Sequence, residues 1–209
     1  MARAAQQGMR ERIIAAAVEV IGERGIGAAT TKEIARAAGV SEGSLYNHFA
    51  NKNALIGATM AELAGGIRAT MMELFGRVGQ GELAENLARV GESVIAFYRR
   101  ILPVTGPVLG DPEMRAQVQH DLPGQGVGPL RGHEALAGYF AAEQSAGRIA
   151  ADAQPPYLAA LLLGACHQYA FLELLNGPEQ MAAAGLPADS AEYARQIAAT
   201  ICRLAGVGA

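Results

Sequence analysis

Ser41, Ser44, Tyr46, Asn47 and His48 fall within eight residues and offer hydroxyls, an amide and an imidazole. Most of these groups both donate and accept hydrogen bonds. The chain's only two lysines, Lys32 and Lys52, bracket them. Donors and cations at this density suit a polyanion, because phosphate oxygens accept from hydroxyl, imidazole and ammonium groups, while base edges exchange bonds with amides and hydroxyls. The remaining reactive side chains do not assemble into a catalytic pattern. There is no Gly-x-Ser-x-Gly turn and no paired carboxylate, and His133-Glu134 lacks the second histidine of a zinc-protease helix because position 137 is Ala. His120, His133 and His167 are scattered, so no metal and no cofactor are expected, and the chain does not read as an enzyme. Cys166 and Cys202 stand far apart without metal spacing, and they suit a reducing compartment as buried, inert thiols.

The elements that must hold this cluster can be read from its flanks. Thr30 and Glu33 form a capping-box pair opening a helix that carries Ile34, Ala35 and Ala38 on one face and stops at Gly39. Val40 turns the corner, and Ser41 caps a second, very short helix in which Leu45 and Phe49, four apart, point inward. Two short helices around a glycine turn make a helix-turn-helix, whose second helix enters a DNA major groove. A supporting helix precedes them, with Ile13, Ile14, Ala17, Val18 and Ile21 at helical spacing and Gly25 and Gly27 as stops; residues 1–8 carry no such pattern and are expected to fray. Asn51 caps the next helix. Lys52 at its first position opposes the helix dipole, which points to a phosphate contact.

The run Ala35, Gly39-Val40-Ser41, Leu45-Tyr46-Asn47-His48-Phe49, Asn51-Lys52 closely resembles the DNA-binding segment of the tetracycline-repressor (TetR) family. The resemblance covers about residues 10 to 57. It implies DNA contacts at Ser41, Gly43, Ser44, Tyr46, Asn47 and His48, with Thr31 and Lys32 from the preceding helix and Lys52 from the following one. Gly43 would let the helix lie close to the groove floor. Glu42 is open to two readings, a charge that favours the helix N-terminus or an acceptor for a cytosine amino group, and the first is preferred because acids read bases less often than Arg or Asn.

Charge distribution agrees. Residues 1–57 hold seven bases and five acids, a net of +2; the rest hold ten bases and fifteen acids, a net of −5, giving the −3 of the whole chain. The positive excess lies where DNA would bind. Half the residues are apolar and 18% charged, which excludes a disordered chain. The first residues carry no apolar run of a signal peptide and no unbroken apolar stretch reaches ~18 residues, so a cytoplasmic, non-membrane protein is expected.

The rest of the 209 residues reads as helices without strands, giving an all-α fold: an N-terminal helix-turn-helix unit of three helices (1–57) and a larger C-terminal helical domain (58–209). One helix continues from Leu55 to Leu74, and another runs from about Leu83 to Leu102 and is ended by Pro103. Asp111-Pro112 opens a short helix to about His120, Gly124-x-Gly126-x-Gly128 is a loop, and a helix follows from Pro129 to Ala146 with Leu130, Leu136, Ala137 and Phe140 inward. Pro155-Pro156 and Asp189-x-x-Glu192 open the last two helices, the first stopped by Asn176-Gly177-Pro178 and the second by Gly206. Ala160, Gly164 and Ala165 would admit a close helix neighbour.

The resemblance implies that the middle helices enclose an effector pocket, with Phe97, Tyr98, Ile101, Leu102, Met114, Leu136, Phe140, His167 and Phe171 as its candidate lining. It also implies a homodimer joined by a four-helix bundle of the last two helices, through Leu158, Leu161, Leu162, Ala165, Tyr169, Leu172, Tyr193, Ile197, Ile201 and Leu204. The expected function is a transcriptional regulator, a repressor released from a palindromic double-stranded DNA operator by a small, mostly apolar molecule. The alternative is a helical carrier or enzyme in which the motif is only structural.

Overall fold

The computed structural model describes residues 2–125 and 128–207, which form helices α1 (Ala2–Ala28), α2 (Thr31–Ala37), α3 (Glu42–Tyr46), α4 (Lys52–Phe75), α5 (Leu83–Gly110), α6 (Pro112–Gln125), α7 (Pro129–Ser145), α8 (Pro155–Ala183) and α9 (Ser190–Leu204). The described chain is all-α, as expected. It packs as two compact units, residues 1–65 with 100–127, and residues 66–99 with 128–209. The chain passes from one to the other within α4, within α5 and again between α6 and α7.

Local signals set most boundaries. α1 starts at Ala2, so residues 2–8 are helical rather than frayed, and it is broken at Gly25, where φ is 75°. The Thr30–Glu33 capping box is present in both directions: Glu33 N donates to Thr30 Oγ1 at 3.2 Å and Thr30 N donates to Glu33 Oε2 at 3.1 Å. Asp111 Oδ1 accepts from Glu113 N and Met114 N at 2.9 and 3.0 Å, and Asp189 Oδ1 accepts from Ala191 N at 3.0 Å. α8 is interrupted at Gly177 (φ 74°) just before Pro178.

Further expectations fail. α5 does not stop at Pro103 but continues through Pro103 and Pro107 to Gly110. A mid-helix proline costs about 3 kcal/mol. Ile101, Val104 and Val108 keep the helical period and are 7, 2 and 4% exposed; the burial of the two valines beyond Pro103, worth roughly 1.5–3 kcal/mol each, offsets much of the cost of the two prolines. α6 runs beyond His120 to Gln125, so Gly124 is helical; Gly126 of the glycine series lies outside the described residues. Leu130, expected inward, is 68% exposed, and the core position on α7 is Tyr139.

In the second unit, Leu87, Val90, Val94 and Ile95 of α5, Leu136, Tyr139 and Phe140 of α7, Leu158, Leu162, Cys166 and Tyr169 of α8 and Ala194, Ala198 and Ile201 of α9 make one core. The close helix approach is at Gly91 rather than Gly164. A Cβ on Gly91 would lie 3.3 Å from Ala194 Cβ and 3.7 Å from Cys166 Sγ, whereas one on Gly164 would meet nothing within 4 Å. A buried polar network ties α7 to the turn before α5. Tyr139 donates to Glu143 Oε1 at 2.5 Å, Gly79 N to Glu143 Oε2 at 3.1 Å, and Asn86 Nδ2 to the Gln80 carbonyl at 2.9 Å. Arg148 Nη1 lies 3.5 Å from Glu143 Oε2, while Nη2 of the same side chain donates to the Gly81 carbonyl at 2.5 Å.

Both cysteines are free and buried. Cys166 Sγ donates to the Gly91 carbonyl at 3.6 Å, and burial pushes this thiol up to about 12; burial raises Cys202 as well. Neither is a thiolate near neutral pH, so neither is a competent nucleophile. Iodoacetamide at pH 8, followed by mass spectrometry, is expected to leave both unlabelled in the folded protein and to label both in denaturant. Rapid native labelling of Cys166 would contradict its burial.

Candidate nucleic-acid interface

The α2–α3 unit is built outward from a small core. Ile34, Ala35, Leu45 and Phe49 are 0–3% exposed, and the turn between the helices uses Gly39 at φ 69°. Arg12 of α1 braces that turn, Nη2 donating to the Ala38 carbonyl at 2.8 Å. Arg24 Nη1 donates to Glu33 Oε1 at 2.6 Å. The Glu33 carboxyl is held below the usual carboxylate range, first by the Thr30 backbone N–H, then by the Thr30 hydroxyl, with Arg24 and Arg36 adding to it. A lowered carboxyl stabilises above its ordinary pKa and loses that contribution as pH falls through the folded-state value, so the α2 cap loosens only in acid.

The recognition element is shorter than the sequence suggests. α3 ends at Tyr46, with Asn47 as its C-cap and His48 beyond. Ser41 spends its oxygen as N-cap, accepting from Ser44 N at 3.1 Å, and Asn51 Oδ1 caps α4 by accepting from Ala54 N at 2.8 Å. Lys32, Ser41, Glu42, Gly43, Tyr46 and Asn47 are exposed, while Thr31, Ser44, His48 and Lys52 are half-buried. Three of these residues bond across the two helices: Thr31 Oγ1 donates to Glu42 Oε1 at 2.6 Å and lies 3.3 Å from the Tyr46 hydroxyl. Lys32, Arg36 and Glu42 line a shallow concavity with Glu33, Ala35 and Val40.

Two cations escaped the sequence reading. Arg36 shares the outer face of α2 with Lys32. The Arg10 guanidinium stacks over the Phe49 ring, 5.1 Å from its centroid. No local signal announces that stacking, because Arg10 lies on α1 and Phe49 in the segment between α3 and α4, thirty-nine residues on.

The nine residues expected to line an effector pocket divide between the two units. Ile101, Leu102 and Met114 belong to the first unit, Ile101 buried and the other two half-buried. In the second unit Leu136 and Phe140 are fully buried core. The remaining four make a row along α5 and α8: Phe97 to Tyr98 at 5.5 Å, Tyr98 edge-on to His167 at 5.0 Å, and His167 stacked on Phe171 at 6.4 Å. Burial raises the Tyr98 phenol. Beside the row, Arg99 Nε and Nη2 donate to Glu173 Oε2 and Oε1 at 2.6 and 2.8 Å.

Of the ten residues expected to join two copies, Leu158, Leu162, Tyr169, Tyr193 and Ile201 are buried in the chain's own core, and Ala165, Leu172 and Ile197 are half-buried. Leu161 and Leu204 are 50 and 63% exposed. On α8 the exposed face is a row at alternating four- and three-residue steps, Tyr157, Leu161, Gly164, Gln168, Phe171 and Leu175, of which the sequence names Leu161 for the dimer, Gly164 for a close helix neighbour and Phe171 for the pocket. By length and composition α8 could cross a membrane, with mean hydropathy 1.5 over eighteen residues, but its opposite face supplies the core of the second unit. Among the described residues no three His, Cys, Asp or Glu are grouped to hold a metal.

The model for "Bacterial regulatory proteins, tetR family" matches residues 13–59. The HTH-type transcriptional regulator BetI of Escherichia coli is 34% identical over 91 residues, 43% of this chain. That match spans 47% of BetI, so the chain covers about half the length of such curated relatives. Solved structures share the fold over nearly the whole chain. A Mesorhizobium loti protein assigned to the TetR family of transcriptional regulators superposes with TM-score 0.72 at 18% identity, covering 95% of this chain and 97% of that one. Bacillus subtilis FadR, solved with stearoyl-CoA, superposes with TM-score 0.66 at 20% identity, covering 92% and 97%.

Proposed function

We infer that this chain, which belongs to the tetR family of bacterial regulatory proteins and so is a DNA-binding transcriptional regulator, acts as a repressor rather than an enzyme. In this reading residues 1–57 bind DNA and residues 58–209 bind the effector and a second copy, in the cytoplasm. The observation that carries it is the α2–α3 face itself: a short helix and the turn after it, anchored inward by Leu45 and Phe49 and carrying Ser44, Tyr46, Asn47 and His48, with Lys32 and Lys52 on either side. One such module makes too few contacts for tight specific binding. A two-fold dimer reading a palindrome, with half-sites ~34–36 Å apart or multiples of that, supplies the rest. The exposed α8 row supports the dimer.

The aromatic row Phe97, Tyr98, His167 and Phe171 supports a small, mostly apolar effector. Such a molecule releases DNA only by binding more tightly to a conformer unsuited to the operator.

The test is selection of genomic fragments by the purified chain, followed by salt titration of the enriched duplex. A palindromic site whose affinity falls steeply with salt is expected. No enrichment over bulk DNA would sink the reading. Within it, Tyr46→Ala is expected to weaken binding about ten- to a hundredfold on specific and random duplexes alike, the worth of a hydrogen bond to a charged phosphate, roughly 1.5–3 kcal/mol. Unchanged affinity in fluorescence anisotropy would remove Tyr46 from the interface.

A further inference from the structure

Glu42 is out of place on a surface offered to a polyanion, since a carboxylate there repels every phosphate it approaches. Its charge suits the first turn of α3, but its carboxylate makes no hydrogen bond to that helix's N-terminus. Ser41 fills that place, and the Glu42 carboxylate instead reaches back to α2, where Oε1 accepts from Thr31 Oγ1 at 2.6 Å. Thr31 has a single hydroxyl proton. With that proton on Glu42, the bond between Thr31 and the Tyr46 hydroxyl 3.3 Å away must be donated by Tyr46. Without DNA the bonds run from Tyr46 through Thr31 to Glu42; on DNA the single Tyr46 proton turns to a phosphate, and the 2.6 Å Thr31–Glu42 bond that holds the carboxylate remains. Oε2 has no hydrogen-bond partner among the described residues, and it belongs to the first residue of the recognition helix.

We propose that Glu42 is the specificity-determining residue of this interface, accepting through Oε2 from the N4 amino group of a cytosine in each half-site, with Thr31 as its positioning residue. The proposal rests on the DNA-binding reading above. Residues at the start of a recognition helix are the ones that meet base edges. An ionised carboxylate only accepts, and the major groove has only two kinds of donor, the amino groups of cytosine and adenine. The adenine amino group lies between two acceptors, N7 of its own ring and O4 of the paired thymine, both repulsive to a carboxylate. The cytosine amino group has the guanine O6 on one side only and a C–H on the other. Guanine and thymine edges present acceptors and are rejected. Glu42 thus lowers affinity for DNA in general and restores it at one base, while the Thr31 hydroxyl fixes the rotamer that makes the choice sharp.

The experiment is enrichment of random duplexes by the full-length wild type, E42Q, E42A and T31V, each shown folded by thermal melting. Anisotropy titrations then follow on the enriched site and its single-base variants. Wild type is expected to enrich a cytosine at one position of each half-site and to lose about ten- to a hundredfold on its replacement. E42Q is expected to bind random duplex more tightly and to prefer adenine at that position, because glutamine pairs with the N6 and N7 of adenine. E42A is expected to show no preference there. T31V should keep the choice of cytosine with its discrimination reduced several-fold. E42Q and E42A preferences superimposable on wild type at every position would overturn the proposal while leaving the DNA-binding reading intact; failure of the wild type to enrich any duplex would remove both.

Discussion

Leu161→Glu is expected to reduce operator affinity about a hundredfold or more while leaving the protomer folded. Leu161 is 50% exposed and lies mid-way along the α8 row of Tyr157, Leu161, Gly164, Gln168, Phe171 and Leu175. Nothing among the described residues lies within 4 Å of a Cβ built at Gly164, which leaves room there for a second copy. A carboxylate at Leu161 would be buried against its symmetry mate, two like charges in an apolar seam, which costs several kcal/mol and splits the dimer. Half-sites bound separately then lose the gain from tethering, about 10²–10⁴ in affinity. Sedimentation of the variant should give a monomer, its melting temperature should stay close to that of a dilute wild-type sample, and anisotropy should show equal affinity for a full palindrome and a half-site. A dimer with unchanged operator affinity would remove this face of α8 from the interface.

That row also shows where the sequence is legible and where it is not. The Thr30–Glu33 capping box, the Asp111 and Asp189 caps and the Gly39 and Gly177 breaks depend on residues within three or four positions, so they can be read directly. α5 was misread because proline's penalty is local while the burial of Val104 and Val108 beyond Pro103 is tertiary. α8 confuses pattern reading in another way. It is apolar on two faces, one packed through Leu158, Leu162, Cys166 and Tyr169 and one exposed through Tyr157, Leu161, Phe171 and Leu175. Neighbouring leucines such as Leu161 and Leu162 merge into one stripe until a structure separates them. The motif side chains were nameable from spacing alone. The Thr31–Glu42 bond was not, since it joins residues eleven apart through the crossing of two helices.

Glu143→Ala is expected to destabilise the second unit by about 3–5 kcal/mol, the usual result of removing one partner from a buried ionic network. Glu143 is 0% exposed, accepts hydrogen bonds from Tyr139 and the Gly79 N–H, and has Arg148 Nη1 as an ion-pair neighbour at 3.5 Å. Its removal strands the Tyr139 hydroxyl, itself on a 0% exposed side chain, orphans the Gly79 N–H, and leaves Arg148 with only the Gly81 carbonyl. Each orphaned buried donor costs roughly 1–3 kcal/mol, which accounts for the total without appeal to the ion pair alone. Burial raises the Tyr139 phenol first and its bond to Glu143 adds to that, so it stays protonated and always needs an acceptor. A double-mutant cycle isolates this account. Tyr139→Phe removes the stranded hydroxyl, so Glu143→Ala should cost less in that background by at least about 0.5 kcal/mol, the scale of coupling between residues in contact. Urea denaturation at fixed protein concentration gives both numbers, and amide exchange should show the 76–82 turn opening first in Glu143→Ala, because Gly79 and Gly81 lose their anchor there. A Glu143→Ala protein within 1 kcal/mol of wild type, or strictly additive mutations, would mean that the turn is held by backbone packing and that the buried carboxylate is incidental to it.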